Sequence, residues 1–500
     1  MFATFMEVLD TTVVNVSLPH IAGTLSATID ESTWVLTSYL VANAIILPLT
    51  GWLAMHFGRK RLLLASVSGF TMASFLCGLA PNLSSLVIFR IIQGATGGAM
   101  QPLSQAVLLE AFPPHERGKA MGFWGLGIVV APILGPVLGG WLTDNYSWRW
   151  IFYINIPVGI AAFVMTELFI FDPPYIRRVS ERIDYWGICL LALGIGALQL
   201  ILDTGAKRDW FSSNLIKALA VASAAALVVF IVHEWRTHHP VVDLHVFKVR
   251  TYSTGVFLMT TLGFVLYGSL VLLPIMLQTL LGYPSVQAGM AMAPRGLGSF
   301  IGMPMVGFLV GRFDPRKLVA TGLVAGGLTL LWFGTLNLNA GYWDIFWPQF
   351  CQGFGLSLLF VPLTTITMDP IPKERMGNAT SLFNLVRNVG GSTGIAVTST
   401  LLFRRVQVHS ALLGANVNPY SPAAQSALAQ ARNGFIARGL DPVTATQRAY
   451  AAVFGMVQRQ AAMVSFVEVF RLLGVIFFLA LPLVFLMKRP RRAAAPAAEH

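Results

Sequence analysis

The chain has 500 residues, of which 55% are hydrophobic and 11% charged, with a formal net charge of +12. Soluble proteins carry roughly 25% charged residues, so this composition excludes a soluble globular protein and defines an integral membrane protein. Nucleic acid as a partner is excluded because no basic domain stands outside the apolar segments.

A transmembrane helix needs about 20 mostly apolar residues, and about fourteen such runs can be read. They lie near 1–20, 33–55, 62–80, 84–110, 119–142, 149–171, 185–203, 214–235, 252–281, 288–312, 317–338, 343–369, 378–403 and 466–487. No strand-type alternation repeats, which argues against a β-barrel. The first run lacks a basic n-region and an A-x-A-like site, so no cleavable signal peptide is expected. Cys77, Cys189 and Cys351 all sit in apolar runs without metal-ligand spacing and are expected to pack in the core.

The first run, 5-FMEVLDTTVVNVSLP-19, holds two carboxylates. Glu7 and Asp10 are three positions apart and share a helix face, which Thr11 and Asn15 continue as a polar stripe. An acid at the bilayer centre costs about 2.5–3.5 kcal/mol, and burial disfavours its charged form. Such a group can take up and release a proton. Asp10 is the stronger proton-coupling candidate and Glu7 the second. The competing readings are a structural salt bridge to a buried arginine, and a Glu7 close enough to the chain start to meet water.

The second run leads into Gly51 and the basic stretch Gly58, Arg59 and Lys60, expected to act as a topology signal and as a contact between domains. In the fourth, Arg90, Gln93, Gly97 and Gln101 fall on one helical face. A buried arginine needs an anionic partner, and Asp10 or a substrate anion is the candidate. The fifth carries Gly127, Ala131, Gly135 and Gly139 at four-residue spacing, a stripe over which helices pack closely, with Pro136 expected to bend it. Arg295 and Arg387 lie well inside the tenth and thirteenth runs. If they face inward with Arg90, the cavity is cationic and suits amphipathic, often anionic substrates. Local pairing of each arginine is the alternative. The long loop 404–465 is Ala/Gln-rich and expected to hold helices, with Asp441 as an N-cap before Pro442. Glu468 and Arg471 read as a local pair, and His238 and His239 as a solvated face.

Alternate loops separate by charge. One side carries 58-GRKR, 115-HERGK, 176-IRRVSER, 248-KVR, 312-RFDPRK, 372-PKER and 488-KRPRR. The positive-inside rule makes that side cytoplasmic, and with it both termini. An internal repeat then sets the architecture. The stretch 51-GWLAMHFGRKRL matches 307-GFLVGRFDPRKL, and 93-QGATGGAMQPLS matches 352-QGFGLSLLFVPLT; each half continues to P-x-E-R, at 114 and 372. The second run thus corresponds to the tenth and the fourth to the twelfth, so two extra spans lie between two six-span halves. The expected domains are 1–172, an inserted pair over 173–250, 251–487 and a basic tail 488–500. Parallel six-span repeats are the mark of major facilitator transporters, with the substrate site at the midplane between halves.

The chain resembles the fourteen-span drug:proton antiporters of the major facilitator superfamily, most closely the EmrB-type multidrug exporters. The resemblance covers nearly the whole chain and rests on LDTTVVNVSLP (9–19), GWLAMHFGRKRL (51–62), FRIIQG (89–94), APILGPVLGGWL (131–142), WRWIFYINIPVG (148–159), WPQFCQGF (347–354) and VPLTTIT (361–367). It implies a major facilitator fold and proton-driven export of hydrophobic drugs without any cofactor. It also implies an inner-membrane location, with a periplasmic adaptor and an outer-membrane channel as partners. Through the antiporter GPxxGG motif it gives Gly135, Pro136, Gly139 and Gly140 a bearing on transport direction. Two departures stand out. Met55 occupies the place where the superfamily loop pattern has an aspartate. The family's first span also has more residues ahead of the LDxT stretch, so either the first helix is short or the start lies upstream. No nucleotide loop and no nucleophile-base constellation can be read, so an ion gradient is the expected energy source and an enzyme is not expected. A proton symporter, a dedicated lipid or siderophore exporter, and a non-transporting receptor of the same fold remain as alternatives.

Overall fold

The computed structural model describes residues 1–113, 115–172, 184–237, 240–418 and 420–488. The basic loop 176–182, His238, His239 and most of the basic tail lie outside the described residues. The described residues are helical, with no strand among them.

The first half comprises α1 (Phe2–Thr24), the short α2 (Ile29–Ser32), α3 (Trp34–Phe57), α4 (Arg59–Leu79), α5 (Leu83–Gly97), α6 (Met100–Ala111), α7 (Arg117–Asn145), α8 (Trp150–Tyr153) and α9 (Asn155–Phe169). The inserted pair is α10 (Tyr185–Thr204) and α11 (Asn214–Arg236). The second half comprises α12 (Arg250–Thr279), α13 (Ser285–Val310), α14 (Pro315–Phe333), α15 (Tyr342–Met368), α16 (Met376–Ala415), α17 (Pro422–Ala437) and α18 (Pro442–Val484).

Among the described residues, 12 helices are long and apolar enough to cross a membrane. Two of the expected spans, α1 and α16, fall outside that set. Both carry charges along their length, Glu7 and Asp10 on α1 and Arg387, Arg404 and Arg405 on α16. The thirteenth span also runs on past residue 403 without a break. At 40 residues, α16 is about 60 Å long, and the 43-residue α18 is longer still. A bilayer core is about 30 Å thick, so both helices continue well beyond it, with α17 packed against α18.

The small-residue stripe of α7 receives α1. A Cβ on Gly139 would lie 2.8 Å from the Val13 carbonyl, and one on Gly135 would collide with Thr12. The helix runs unbroken through Pro132 and Pro136.

The halves meet along two seams, α3 against α16 and α13 against α7. These contacts join repeat to repeat. A Cβ on Gly51 would stand 2.7 Å from the backbone of Asn378, beside Gly377, and one on Gly307 would stand 2.8 Å from the Gly118 carbonyl. Each repeat's leading glycine thus rests on the glycine that follows P-x-E-R in the other half. Of the inserted pair, α10 packs against both α3 and α16, where Gln199 Nε2 donates to Ser392 Oγ at 2.9 Å.

Two local expectations are corrected. Glu468 does not pair with Arg471. It meets His409 Nε2 at 3.0 Å and Arg405 Nε at 3.6 Å on α16, while Arg471 Nε donates to the Gly334 carbonyl. Arg405 and His409 on the packed neighbour win over helical spacing. Cys189 is exposed on α10 rather than packed in a core; Cys77 is buried and Cys351 half-buried. On a membrane helix, apolar residues face lipid as readily as protein.

Candidate functional site

Five helices of the first half converge on Asp10. Arg90 Nη1 donates to Asp10 Oδ2 at 2.5 Å and to Gln93 Oε1 at 2.7 Å, and its Nε donates to the Val35 carbonyl at 3.0 Å. Gln93 Nε2 donates to Asp10 Oδ1 at 3.0 Å, and Asn155 Nδ2 donates to the same oxygen at 2.8 Å and to Ser74 Oγ at 3.0 Å. The guanidinium also lies 4.2 Å from the Tyr39 ring centroid. The Asp10 and Arg90 side chains are 0% exposed. Asp10 is thereby satisfied by one guanidinium and two amides, as a buried acid requires.

Glu7, one turn away, is differently placed. Asn43 Nδ2 donates to its Oε1 at 2.9 Å, while its Oε2 is buried without a hydrogen-bond partner. Asp10 and Arg387 both act on it electrostatically. Arg387 belongs to the other half. Its Nη2 donates to Gln101 Oε1 at 2.8 Å and to Asn388 Oδ1 at 3.2 Å, leaving Nε and Nη1 buried and unbonded. One turn below, Asn384 Nδ2 donates to Gln105 Oε1 at 2.5 Å. Glu7, Gln101, Gln105, Asn384 and Arg387 therefore form a polar layer across the junction of the halves.

The remaining candidates separate. Thr11 Oγ1 bonds the Val8 carbonyl, and Asn15 is exposed with its amide on the Thr11 carbonyl, so the polar stripe does not continue into the charged cluster. The helix carrying Arg90 and Gln93 ends at Gly97 and restarts at Met100, so Gln101 follows a break rather than one continuous face. The three arginines do not line one cavity. Arg90 is enclosed in the first half. Arg295 is enclosed in the second, where its Nη2 donates to Ser269 Oγ at 3.1 Å and makes a short bond to Gln352 Oε1. Only Arg387 bridges the two halves.

Around the basic loops, Gly58 has φ +89° between α3 and α4, a conformation that favours glycine. The turn aims the Lys60 amide at Asp172 Oδ1, 2.9 Å away. Arg59 ion-pairs with Glu110, and Lys60 Nζ with Glu167 at 3.1 Å, all within the first half. Gly51 makes close contact with the second half. Met55 is exposed. An acid reaches this seam from the linker after the inserted pair: Asp243 meets Arg375 at 3.4 Å, and its backbone exchanges hydrogen bonds with the Asn378 side chain. A cavity of about 340 Å³ lies here, lined by Trp52, His56, Asp243, Glu374 and Arg375 among others. At the other seam Arg117 stands 4.0 Å from Asp369, whose carboxyl burial pushes up against the opposing pull of that guanidinium.

Sequence reading missed Asn43, Gln105, Asn155, Ser269, Gln352 and Asn384. The available signal was the same in each case, an uncharged polar side chain inside an apolar run.

Two repeated six-helix halves joined through buried polar groups define a membrane transporter. The chain belongs to the major facilitator superfamily: the family model for the Major Facilitator Superfamily matches residues 1–395. It is 44% identical over 426 residues to the multidrug export protein EmrB of Haemophilus influenzae, covering 85% of this chain and 83% of that one. It is 41% identical to EmrB of Escherichia coli K12 and 40% identical to the fatty acid resistance protein FarB of Neisseria gonorrhoeae. In both cases 98% of this chain and 94% of the relative are covered. The fold is similar to that of the human organic anion transporter MFSD10 (TM-score 0.59, 13% identity, 95% of this chain and 98% of that one). It is similar also to the proton:xylose symporter XylE (TM-score 0.58, 18% identity, 82% and 89%).

Proposed function

We propose that the chain is a proton-coupled antiporter that exports hydrophobic and amphipathic compounds, weak acids among them. Transport crosses a bacterial inner membrane, with both termini cytoplasmic. The observation that carries this reading is the pair of buried carboxylates in unequal settings. Asp10 is held by Arg90 and two amides. Glu7 keeps an unshared oxygen at the junction of the halves, facing the charge of Arg387. Rocking of one half against the other would change what Glu7 meets, so that its proton is taken up on one side and released on the other. Arg387, with two free nitrogens at the same junction, is the cation that favours anionic cargo. The multidrug export and fatty acid resistance named for its relatives fit this chemistry. A periplasmic adaptor and an outer-membrane channel would complete the export path.

The test is efflux from proteoliposomes under an imposed pH gradient, using dodecanoate and ethidium as cargo. Acceleration by the gradient is the expected result, with dodecanoate exported faster. Gradient-insensitive flux would overturn antiport. Equal rates for the two cargoes would overturn the weak-acid preference, and uptake driven with the proton would make the chain a symporter.

A further inference from the structure

The two repeats carry related buried polar clusters whose charges differ. In the register that aligns Gly51 with Gly307, Tyr39 corresponds to Arg295. In the register that aligns Gln93 with Gln352, Arg90 corresponds to Gln349. The cation has thus moved from one helix of the layer to its neighbour. Ser269 stands toward Arg295 as Asp10 stands toward Arg90, accepting from the guanidinium. The first half therefore holds a neutral pair, and the second holds a guanidinium bonded only to a hydroxyl and an amide. Arg295 is 4% exposed, and its Nε and Nη1 have no hydrogen-bond partner. One turn from Gln352 on the same face, Gln349 is fully buried with neither amide atom bonded.

A buried unpaired charge is among the costliest features a membrane protein can hold. The helices that enclose it supply no acid to offset it, and Glu468 of α18 is taken up by groups on α16. Across α12, α13, α14 and α15 the only carboxylate is Asp344, and it is bound to the backbone amide of Gly341 in the first turn of α15. We propose that Arg295, with Gln349, binds a monatomic anion taken from solution, chloride under physiological conditions. The donor pattern selects this class. Both two-pronged edges of a guanidinium include Nη2, and Nη2 is already engaged by Ser269 and Gln352. What remains are separate single donors, which suit a spherical ion and not the paired oxygens of a carboxylate. Access argues the same way. Gly298 and Gly353 hold α13 and α15 backbone to backbone beside Arg295, too close for the tail of an amphiphile.

The site is independent of the antiport reading, and the experiment keeps them apart by omitting any pH gradient. Binding of radioactive chloride to the purified protein in nanodiscs is measured in gluconate buffer of constant ionic strength, together with the thermal unfolding midpoint. Saturable binding near one chloride per chain is expected, with a midpoint that rises with chloride. Arg295→Gln abolishes both effects, and Arg295→Lys and Gln349→Leu each weaken chloride at least tenfold. No saturable binding to the native protein overturns the proposal, whether or not any variant folds. So does unchanged binding in Gln349→Leu together with Arg295→Gln. Displacement of the chloride by dodecanoate would also overturn it, because the site would then belong to the cargo.

Discussion

Asp10 and Arg90 form an ion pair at 2.5 Å with neither side chain exposed. Removing one member of such a pair leaves the other buried and uncompensated, at a cost of about 3–5 kcal/mol. Asp10→Asn is therefore expected to lower the thermal unfolding midpoint and to abolish gradient-driven efflux. The double variant Asp10→Asn with Arg90→Gln separates the two effects. It removes both charges, so stability should largely recover while proton coupling does not. Recovery of coupling in the double variant would reduce the pair to a structural tie.

Glu7 tests the other carboxylate. Glu7→Gln preserves the acceptor that Asn43 bonds but removes the charge facing Arg387. Stability should change by less than about 1 kcal/mol, since no ion pair at hydrogen-bond distance is lost. Efflux in proteoliposomes should lose its dependence on the pH gradient, with downhill flux of cargo retained. Gradient-driven transport at the native rate would remove Glu7 from the coupling mechanism.

Gly51 is held against Asn378 so closely that any added side chain must part α3 from α16. Overpacking of this kind costs about 1–3 kcal/mol, here borne by the contact between halves rather than by either half's core. Gly51→Val should shift the molecule toward opening at its basic end. Spin labels at Met55→Cys and Lys373→Cys, in a background without native cysteines, should report a longer mean distance than with Gly51. An unchanged distance distribution would mean the seam does not govern this equilibrium.

This seam also shows what the sequence could and could not convey. The matched stretches at 51 and 307 and the P-x-E-R pair revealed two halves and an inserted pair, because repetition is visible without knowing any contact. That Gly51 would meet Gly377, and Gly307 meet Gly118, was not visible, since a repeat does not say which faces touch. The same limit explains Glu468. Helical spacing pointed to Arg471, but α16 brings Arg405 and His409 alongside. Buried charges were legible because apolar runs make them conspicuous. Their amide partners, Asn43 and Asn155 above all, were not, because uncharged polar residues are common in such runs.

Arg387 should govern cargo preference. A hydrogen bond to a charged group contributes about 1.5–3 kcal/mol. Arg387→Gln should therefore raise the KM for dodecanoate roughly ten- to hundredfold while leaving that for ethidium within about threefold. Arg387→Lys should restore part of the difference. A parallel change for both cargoes would mark Arg387 as a structural bridge to Gln101 only.

The projecting helices invite a cleaner excision than their sequence suggested. Removing all of 404–465 would cut into α16 and α18, both continuous with membrane spans. Replacing only α17 with a short flexible linker spares them. If this region docks an adaptor, the variant should lose drug resistance in cells and keep efflux in proteoliposomes. Loss of both would show that α17 supports the transporter itself.

Asp441 offers a check on how that projection is built. Its Oδ2 accepts from the Val443 and Thr444 amides at 3.1 and 2.9 Å, capping α18. The Thr444 side chain first, and then these amides, hold its carboxyl below the usual aspartate range. A depressed folded value means the cap contributes fully above the unfolded pKa of about 3.9 and is lost as pH falls through the lower, folded one. At neutral pH the cap is complete. Asp441→Ala should therefore speed hydrogen exchange at the first turn of α18 near pH 7, with exchange in the membrane part of the helix unchanged. Asp441→Asn, which keeps an acceptor oxygen, should exchange close to the native rate at pH 7. It should also lack the native protein's loss of protection in acid, when each is corrected for intrinsic exchange. If both variants frayed alike, the charge rather than the hydrogen bonds would be what holds the turn.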